Sequence, residues 1–316
     1  MDTFCAMFNI VLLFVALLIP GFILGKTKLI ESDATVSFSN ILMYVAMPFL
    51  VFVKIIEIDF AKIGWLEITL SAVFPILLTF SCIFIGKFLC RGEAAKCRAG
   101  IFCASFPNCG FLGIPLAAAM WQDKPQIILY ISVFNVVSTF LLLTVGTYIL
   151  SGNKQDICIQ KTLISPIFIA IVLGVLFSVF HWGDAIPDVF TYATILSQLA
   201  TPLAMLALGY ELSKMSPFWK MWTQSGAYIV SFIKLILSPL ITLLVIVCLK
   251  KLFHVQLDEA LIFAMMTATA VSTAASAPTM AKKYGGEAEY TAMLTLVNTL
   301  LCVLTLPLMY MLFSII

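Results

Sequence analysis

The chain has 316 residues, of which 62% are hydrophobic and only 11% are charged, and its formal net charge is +2. About a quarter of the residues of an average soluble domain are charged, so this composition excludes a soluble globular protein. The small net charge and the lack of a basic run with interleaved aromatic residues argue against a nucleic-acid partner. The sequence therefore predicts an all-α polytopic protein whose surroundings are membrane lipid.

Hydropathy and helix-breaking residues predict ten transmembrane helices, which we call spans 1 to 10. The spans cover residues 4–25, 36–56, 65–89, 97–120, 125–150, 162–181, 190–212, 224–249, 258–283 and 288–315. The first span lacks the basic region and cleavage site of a signal peptide, so we expect it to be retained. The connecting loops are short and leave no room for an attached enzyme domain.

Landmarks at a nearly constant offset predict two repeats of five spans. The offset is 163 or 164 residues for three pairs, namely Pro115 with Pro278, Asn135 with Asn298, and Pro75 with Pro239. A fourth pair, Pro48 with Pro202, has an offset of 154 residues. Because five is odd, the second repeat enters the membrane from the opposite side, and the repeats are expected to be inverted, as in several secondary transporters.

The distribution of loop cations predicts the orientation. The loops 1–2, 3–4, 5–6, 7–8 and 9–10 carry twelve Lys and Arg residues, whereas the loops on the opposite side carry five. Cytoplasmic loops are enriched in these residues. We therefore expect both termini to lie outside a cell (plasma) membrane.

Span 4 contains the stretch ASFPNCGFLGIPLAA, in which Pro107 and Pro115 are expected to open the helix near its middle. Pro278 is expected to do the same in span 9. A freed backbone group in hydrocarbon costs several kcal/mol, so such breaks persist where protein or a water-filled cavity faces them. Matching breaks in inverted repeats predict that spans 4 and 9 cross near the midplane, where half-helix N-termini attract anions.

The same segments resemble a known family. PNCGFLGIPL in span 4 resembles the Pro-Asn-x-x-x-x-Gly-Ile-Pro-Leu signature of the auxin efflux carrier family. Residues 277–308, which run through a Tyr-Gly-Gly turn into span 10, resemble the end of its bacterial members, and MYVAMPFLVF in span 2 also matches. The long cytoplasmic loop of the plant members is absent, so the resemblance is to the compact bacterial carriers and does not make auxin the substrate.

The resemblance implies a scaffold of spans 1 and 2 (residues 1–60) and spans 6 and 7 (residues 156–215). It implies a moving transport domain of spans 3–5 (residues 61–155) and spans 8–10 (residues 216–316). Elevator-type alternating access and a homodimer joined through the scaffold follow from the same resemblance. Asn108 and Pro115 match the substrate-site positions of span 4, and Pro278 matches the crossover proline of span 9.

We predict that a small organic anion, such as a carboxylate, binds where spans 4 and 9 cross. Neutral donors such as Asn108 hold a carboxylate without trapping it, and glycine lets the backbone come close. The predicted substrate-binding residues are Asn108, Cys109, Gly110, Gly113, Pro115, Ser272, Thr273, Ser276, Pro278 and Lys234, with Pro107, Asn135 and Asn298 in support. Asn135 and Asn298 are expected to brace the freed backbone.

Lys234 lies near the centre of span 8, where a lysine costs about 2.5–3.5 kcal/mol. Two interpretations remain open for it. It either meets freed carbonyls of a broken helix, or it is a fixed cation that replaces a coupling ion or attracts the anionic substrate.

Other functions are weighed against the carrier. A membrane receptor of the same fold and a carrier for indole-type acids remain open. A cation/proton antiporter is disfavoured because spans 4, 5, 9 and 10 have no Asp or Glu near their centres. No enzyme, metal or cofactor is expected, since His181 and His254 have no ligand partners at metal spacing and the nine cysteines form no C-x-x-C pair.

Overall fold

The computed structural model describes residues 2–30, 34–59, 63–152, 165–180, 182, 187–214, 225–284 and 286–313. Over these residues the elements are helices, which confirms the all-α prediction for this part of the chain. Extended residues pair there in one isolated antiparallel bridge, between Pro107 and Thr273. The domain boundaries expected near residues 60, 155 and 215 and the C-terminal residue 316 lie outside the described residues.

The helices follow the predicted spans. Those of the first half are Asp2–Lys26, Ala34–Ile41, Leu42–Ala46, Met47–Ile56, Trp65–Leu89, Ala94–Ser105, Cys109–Gly113, Ile114–Met120, Gln126–Leu141, Leu142–Gly146 and Thr147–Ser151. Those of the second half are Pro166–Val179, Pro187–Ser197, Ala200–Lys214, Ser225–Phe232, Ile233–Leu237, Ser238–Lys251, Glu259–Ala270, Ala277–Lys283 and Ala288–Phe313. Several of these pieces join end to end into longer helices.

Five helices of the described chain are long and apolar enough to cross a membrane, by length and composition. They are Trp65–Leu89, Gln126–Ser151, Pro187–Tyr210, Gly226–Lys251 and Ala288–Phe313. Shorter apolar helices lie in the remaining predicted spans, including Cys109–Met120 and Glu259–Ala270. This pattern is that of a multi-pass membrane protein, while the count of ten spans and the inverted repeats stay predictions.

Wide turns with hydrogen bonds from residue i to residue i+5 adapt several helices to proline. The turns Leu42–Ala46, Cys109–Gly113 and Ile233–Leu237 each end two residues before a proline. Proline lacks an N–H and clashes with the preceding turn, and local widening lets the neighbouring backbone groups find partners. Pro115 was expected to open span 4, but the helix continues through it from Cys109 to Met120 because the wide turn absorbs the disturbance.

Spans 1 and 7 pack backbone against backbone. A Cβ atom on Gly21 would lie 2.2 Å from the carbonyl oxygen of Leu206, and one on Gly209 would lie 2.0 Å from the carbonyl oxygen of Leu18. No side-chain rotation relieves these contacts because the neighbouring atoms belong to the main chain. Small residues at such a seam are typical of helix packing in membranes, where close approach maximises van der Waals contact.

Candidate functional site

Spans 4 and 9 are interrupted, and the two interruptions contact each other. Span 4 has no helix between Ser105 and Cys109, and span 9 has none between Ala270 and Ala277. The two gaps pair as a short antiparallel bridge. The N–H of Asn108 donates to the carbonyl of Ser272 at 2.8 Å, and the N–H of Ala274 donates to the carbonyl of Phe106 at 2.9 Å. Each gap thus supplies hydrogen-bond partners for backbone groups that the other gap has freed.

A cavity of about 460 Å³ lies beside this bridge. Its walls come from spans 2, 4, 5, 6, 7 and 9, and its volume is within the usual range for small-molecule sites. The polar side chains on its wall are those of Asn40, Tyr44, Asn108, Asn135, Ser138, Thr139, Ser165, Ser276 and Thr279. None of the described lining residues is Asp, Glu, Lys, Arg or His. The cavity therefore offers neutral hydrogen-bonding groups.

The two groups of spans contribute differently to the wall. Spans 4, 5 and 9 provide most of the polar side chains, whereas spans 2, 6 and 7 provide a largely apolar surface. The apolar lining residues of spans 2, 6 and 7 are Leu42, Met43, Met47, Pro166, Ile167, Ala207 and Leu208. A ligand with one polar end and an apolar body fits such a lining, because each part meets groups of its own kind.

Asn108 lies on the cavity wall at the start of the second half-helix of span 4. Its side chain is 3% exposed, and its Nδ2 atom is buried without a hydrogen-bond partner among the residues that the structure describes. Its carbonyl accepts from the N–H groups of Leu112 and Gly113, both at 3.1 Å. An unsatisfied buried donor costs about 1–3 kcal/mol. A ligand that brings an acceptor to this amide would remove that cost.

Asn135 also lies on the cavity wall, although the sequence led us to expect a residue that braces the backbone from behind. It faces Gly110 so closely that a Cβ atom there would lie 3.5 Å from its Oδ1. Ser138 and Thr139 line the same cavity. The spacing i, i+3, i+4 puts all three on one face of span 5. This polar stripe is visible in the sequence and indicates that Asn135 faces a polar cavity.

Asn298 and Thr273 lie behind the cavity and connect three spans. The Nδ2 of Asn298 donates to the Oγ1 of Thr273 at 2.6 Å, and the Thr273 hydroxyl donates to the carbonyl of Cys103 at 2.8 Å. Both side chains are fully buried. This relay joins span 10, the gap of span 9 and the end of the first half-helix of span 4. These bonds connect the gap of span 9 to both neighbouring spans, and the bracing role of Asn298 stays a prediction.

Lys234 does not line the cavity. Its side chain is 1% exposed, and its Nζ donates to the carbonyl of Thr269 at 3.2 Å. Thr269 lies in the last turn of the helix Glu259–Ala270, where carbonyls have no partner within the helix. The contact agrees with the interpretation that Lys234 meets freed carbonyls of a broken helix.

Two thiols donate hydrogen bonds to the last carbonyls of the helix Glu259–Ala270. Cys109 donates to the carbonyl of Ala268 at 3.1 Å, and Cys302 donates to the carbonyl of Ala270 at 3.4 Å. Three consecutive carbonyls at the end of this helix are therefore met by side chains of spans 4, 8 and 10. Cys109 was predicted to touch the substrate, but the structure directs its thiol to this helix end.

The remaining predicted residues divide between the cavity and its surroundings. Those on the wall, besides Asn108 and Asn135, are Pro107, Gly110 and Ser276. Those off the wall, besides Cys109, Thr273, Lys234 and Asn298, are Gly113, Pro115, Ser272 and Pro278. Pro278 is the second residue of the helix Ala277–Lys283, where its missing N–H breaks no helical bond. Ser272 is fully buried, and its Oγ has no hydrogen-bond partner within the described part of the chain.

A family model described as "Membrane transport protein" matches the chain in two segments, residues 5–162 and 155–310. The chain is 25% identical over 240 residues to an uncharacterized transporter of Methanocaldococcus jannaschii, across 71% of this chain and 76% of that protein. It is also 25% identical over 239 residues to an uncharacterized transporter of Methanothermobacter thermautotrophicus, across 73% of this chain and 75% of that protein. The names of both relatives specify transport and no substrate.

Proposed function

This chain belongs to the auxin efflux carrier family of membrane transport proteins, and on that premise we propose that it is a secondary carrier for small organic anions. Membership of the family confirms the resemblance that the motifs of spans 4 and 9 indicated. The observation that carries the proposal is the amide nitrogen of Asn108, which has no hydrogen-bond partner among the described residues and belongs to a residue that lines an uncharged cavity of about 460 Å³. The bound group is a carboxylate, and the protein moves it across the cell membrane as a homodimer.

The chemistry around Asn108 supports an anion. The half-helix that begins at Cys109 has N–H groups in its first turn with no partner inside the helix, and the positive end of its dipole lies there. Backbone N–H groups and an amide favour a carboxylate without adding a full positive charge. A carrier must release its substrate, and neutral donors permit this better than a buried ion pair would.

The composition of the cavity wall supports an elevator mechanism. Polar groups come mainly from spans 4, 5 and 9, which belong to the proposed transport domain, whereas the wall from spans 2, 6 and 7 of the proposed scaffold is largely apolar. The polar side chains on the scaffold side are those of Asn40, Tyr44 and Ser165, so this surface makes few directional bonds with a polar ligand. A domain that slides along it therefore breaks few hydrogen bonds between the ligand and the scaffold.

A more specific candidate is a carrier of carboxylates with an apolar body, including indole-type acids. The apolar surface of Leu42, Met43, Met47, Ile167 and Leu208 favours it, because an apolar body would be removed from water there. A short dicarboxylate would leave that surface without a partner.

Transport into liposomes that contain the purified protein tests the proposal. The panel contains lactate, pyruvate, indole-3-acetate, succinate and malate, each labelled and each measured with and without proton and sodium gradients. We expect uptake of at least one monocarboxylate above the level of protein-free liposomes. Binding without uptake would instead indicate a receptor, and neither binding nor uptake of any member would refute an organic-anion carrier.

A further inference from the structure

We propose that Lys234 is a fixed counter-charge for the transported anion, so that the transport domain loaded with a monoanion moves as an electrically neutral unit. The inference rests on the proposed carrier function and extends it to the charge that crosses the membrane field. It concerns a residue outside the cavity.

The surroundings of Lys234 suit a cation. Its Nζ donates to Thr269 at the C-terminal end of Glu259–Ala270. The aligned peptide dipoles place about half a negative elementary charge at such an end, and this favours a positive group in the last turn. The neighbouring carbonyls of Ala268 and Ala270 point to the same end of the helix and add to the negative potential there.

No ion pair to Lys234 occurs among the residues that the structure describes. The titratable groups that act electrostatically on it are the thiols of Cys82 in span 3, Cys109 in span 4 and Cys302 in span 10. These thiols are buried, and burial disfavours the charged thiolate. A protonated Lys234 is therefore not neutralised by an ion pair with a carboxylate of the described chain.

Lys234 is placed to act on the anion through one layer of protein. The thiol of Cys109 lies at the same helix end as the Lys234 amine, and Cys109 directly follows Asn108 in the chain. Charges interact more strongly through a low-dielectric interior than through water, so the lysine favours one negative charge at Asn108.

Lys234 also travels with the binding site. The turn Ile233–Leu237 packs against spans 3, 4, 9 and 10, all of which are assigned to the proposed transport domain. Loaded with a monoanion, the domain has a net charge near zero in its buried part. When empty it carries one positive charge, and with a dianion it carries one negative charge.

These charges determine which steps respond to voltage. Moving one charge through a potential of 100 mV changes the rate by up to about sevenfold, if half of the electrical energy appears in the barrier. Exchange of a monoanion for the same monoanion uses only the loaded form and should be independent of voltage. The return of the empty domain should depend on voltage, as should exchange of a dianion.

The main experiment measures homo-exchange in liposomes of the full-length protein. The probe is the best-transported labelled monocarboxylate of the panel, at equal concentrations on both sides, with 0 or 100 mV imposed by potassium and valinomycin. We expect the wild-type exchange rate to change by less than about twofold. A larger change in the wild type would overturn the inference without affecting the carrier function.

Substitutions of Lys234 test whether its amine causes the voltage independence of monoanion exchange. Lys234→Met should make monoanion exchange voltage-dependent and weaken monoanion binding about tenfold, while Lys234→Arg should retain the wild-type behaviour. Lys251→Met, which removes an exposed lysine at the end of the helix Ser238–Lys251, is the matched control and should change neither quantity. Lys234→Met exchange that remains independent of voltage would refute the counter-charge, whatever happens to its stability.

A second measurement needs no substrate. In a voltage-clamped membrane free of carboxylates, a voltage step should move the empty domain and produce a transient charge movement, which Lys234→Met removes. This result distinguishes the two proposals. A transient that depends on Lys234 supports the mobile charge even if no carboxylate of the panel is transported, and a transient equal in wild type and Lys234→Met refutes it.

Discussion

Replacing Asn108 by alanine separates binding from folding at the candidate site. The Nδ2 of Asn108 has no hydrogen-bond partner in the described ranges, and its side chain does not cap the half-helix that follows. The bridge to Ser272 uses the backbone N–H of Asn108, which alanine keeps. Asn108→Ala therefore breaks no bond donated by that amide, and we expect the melting temperature to stay within a few degrees of the wild type.

The loss of affinity follows from the same geometry. If the carboxylate accepts from the buried Asn108 amide, its removal costs the binding energy of one buried hydrogen bond, about 1–3 kcal/mol. At 1.4 kcal/mol per tenfold change, the dissociation constant rises about 5- to 140-fold. A carboxylate is a charged acceptor, and hydrogen bonds to charged acceptors are stronger, so we expect a rise near the upper end of this range.

Isothermal titration with the best-transported carboxylate measures this change in detergent-solubilised protein. Thr299→Val is the matched control, because its hydroxyl is buried, bonds within its own helix to the carbonyl of Thr295 at 2.8 Å and does not line the cavity. An Asn108→Ala protein that melts normally and binds the carboxylate as tightly as wild type would show that the substrate site lies elsewhere.

Three further perturbations test other parts of the structure. Asn298→Ala removes the 2.6 Å bond to Thr273 and should lower the free energy of unfolding by about 1–3 kcal/mol. We expect a lower melting temperature, with substrate affinity retained in the folded fraction. An unchanged melting temperature would contradict the bracing role. Gly209→Ala forces a Cβ to within 2.0 Å of a main-chain oxygen and should destabilise the seam of spans 1 and 7 by about 1–3 kcal/mol. Gly113→Ala, whose Cβ would meet its nearest neighbour at 3.4 Å, is the control, and equal melting temperatures for the two variants would refute the close packing. A cysteine added after Ile316 should react with an impermeant thiol reagent on intact cells, and labelling only after permeabilisation would reverse the predicted orientation.

Much of the fold follows from hydropathy and from the positions of helix-breaking residues. The boundaries Trp65–Leu89 agree with span 3 to the residue, because the apolar run lies between Gly64 on one side and Arg91 and Gly92 on the other. The gap at Pro107 followed from the missing N–H of proline. The break predicted at Pro115 is absent, because a wide turn precedes this proline. That turn depends on how neighbouring spans accommodate the helix, which the sequence of one segment does not reveal.

The candidate site was harder to predict than the helices. Asn108 and Gly110 were predicted because they stand beside a helix break, and they line the cavity together with Asn135, for which the sequence predicted a supporting position. Which face of a membrane helix meets a cavity depends on packing against distant spans, and the polarity of one asparagine does not encode it. Lys234 shows the same limit, because its acceptor Thr269 belongs to another span.

The bridge between the two gaps has a consequence for biosynthesis. Phe106 and Ala274 bond across the two halves of the chain, and Thr273 bonds to a carbonyl 170 residues earlier. While the ribosome is still translating the second half, the broken helix of span 4 is already in the membrane with its backbone groups at the gap unpaired. The nascent first half therefore needs water, lipid headgroups or an insertion chaperone to shelter that gap. Chains that stall before span 9 should be recognised and degraded as incomplete.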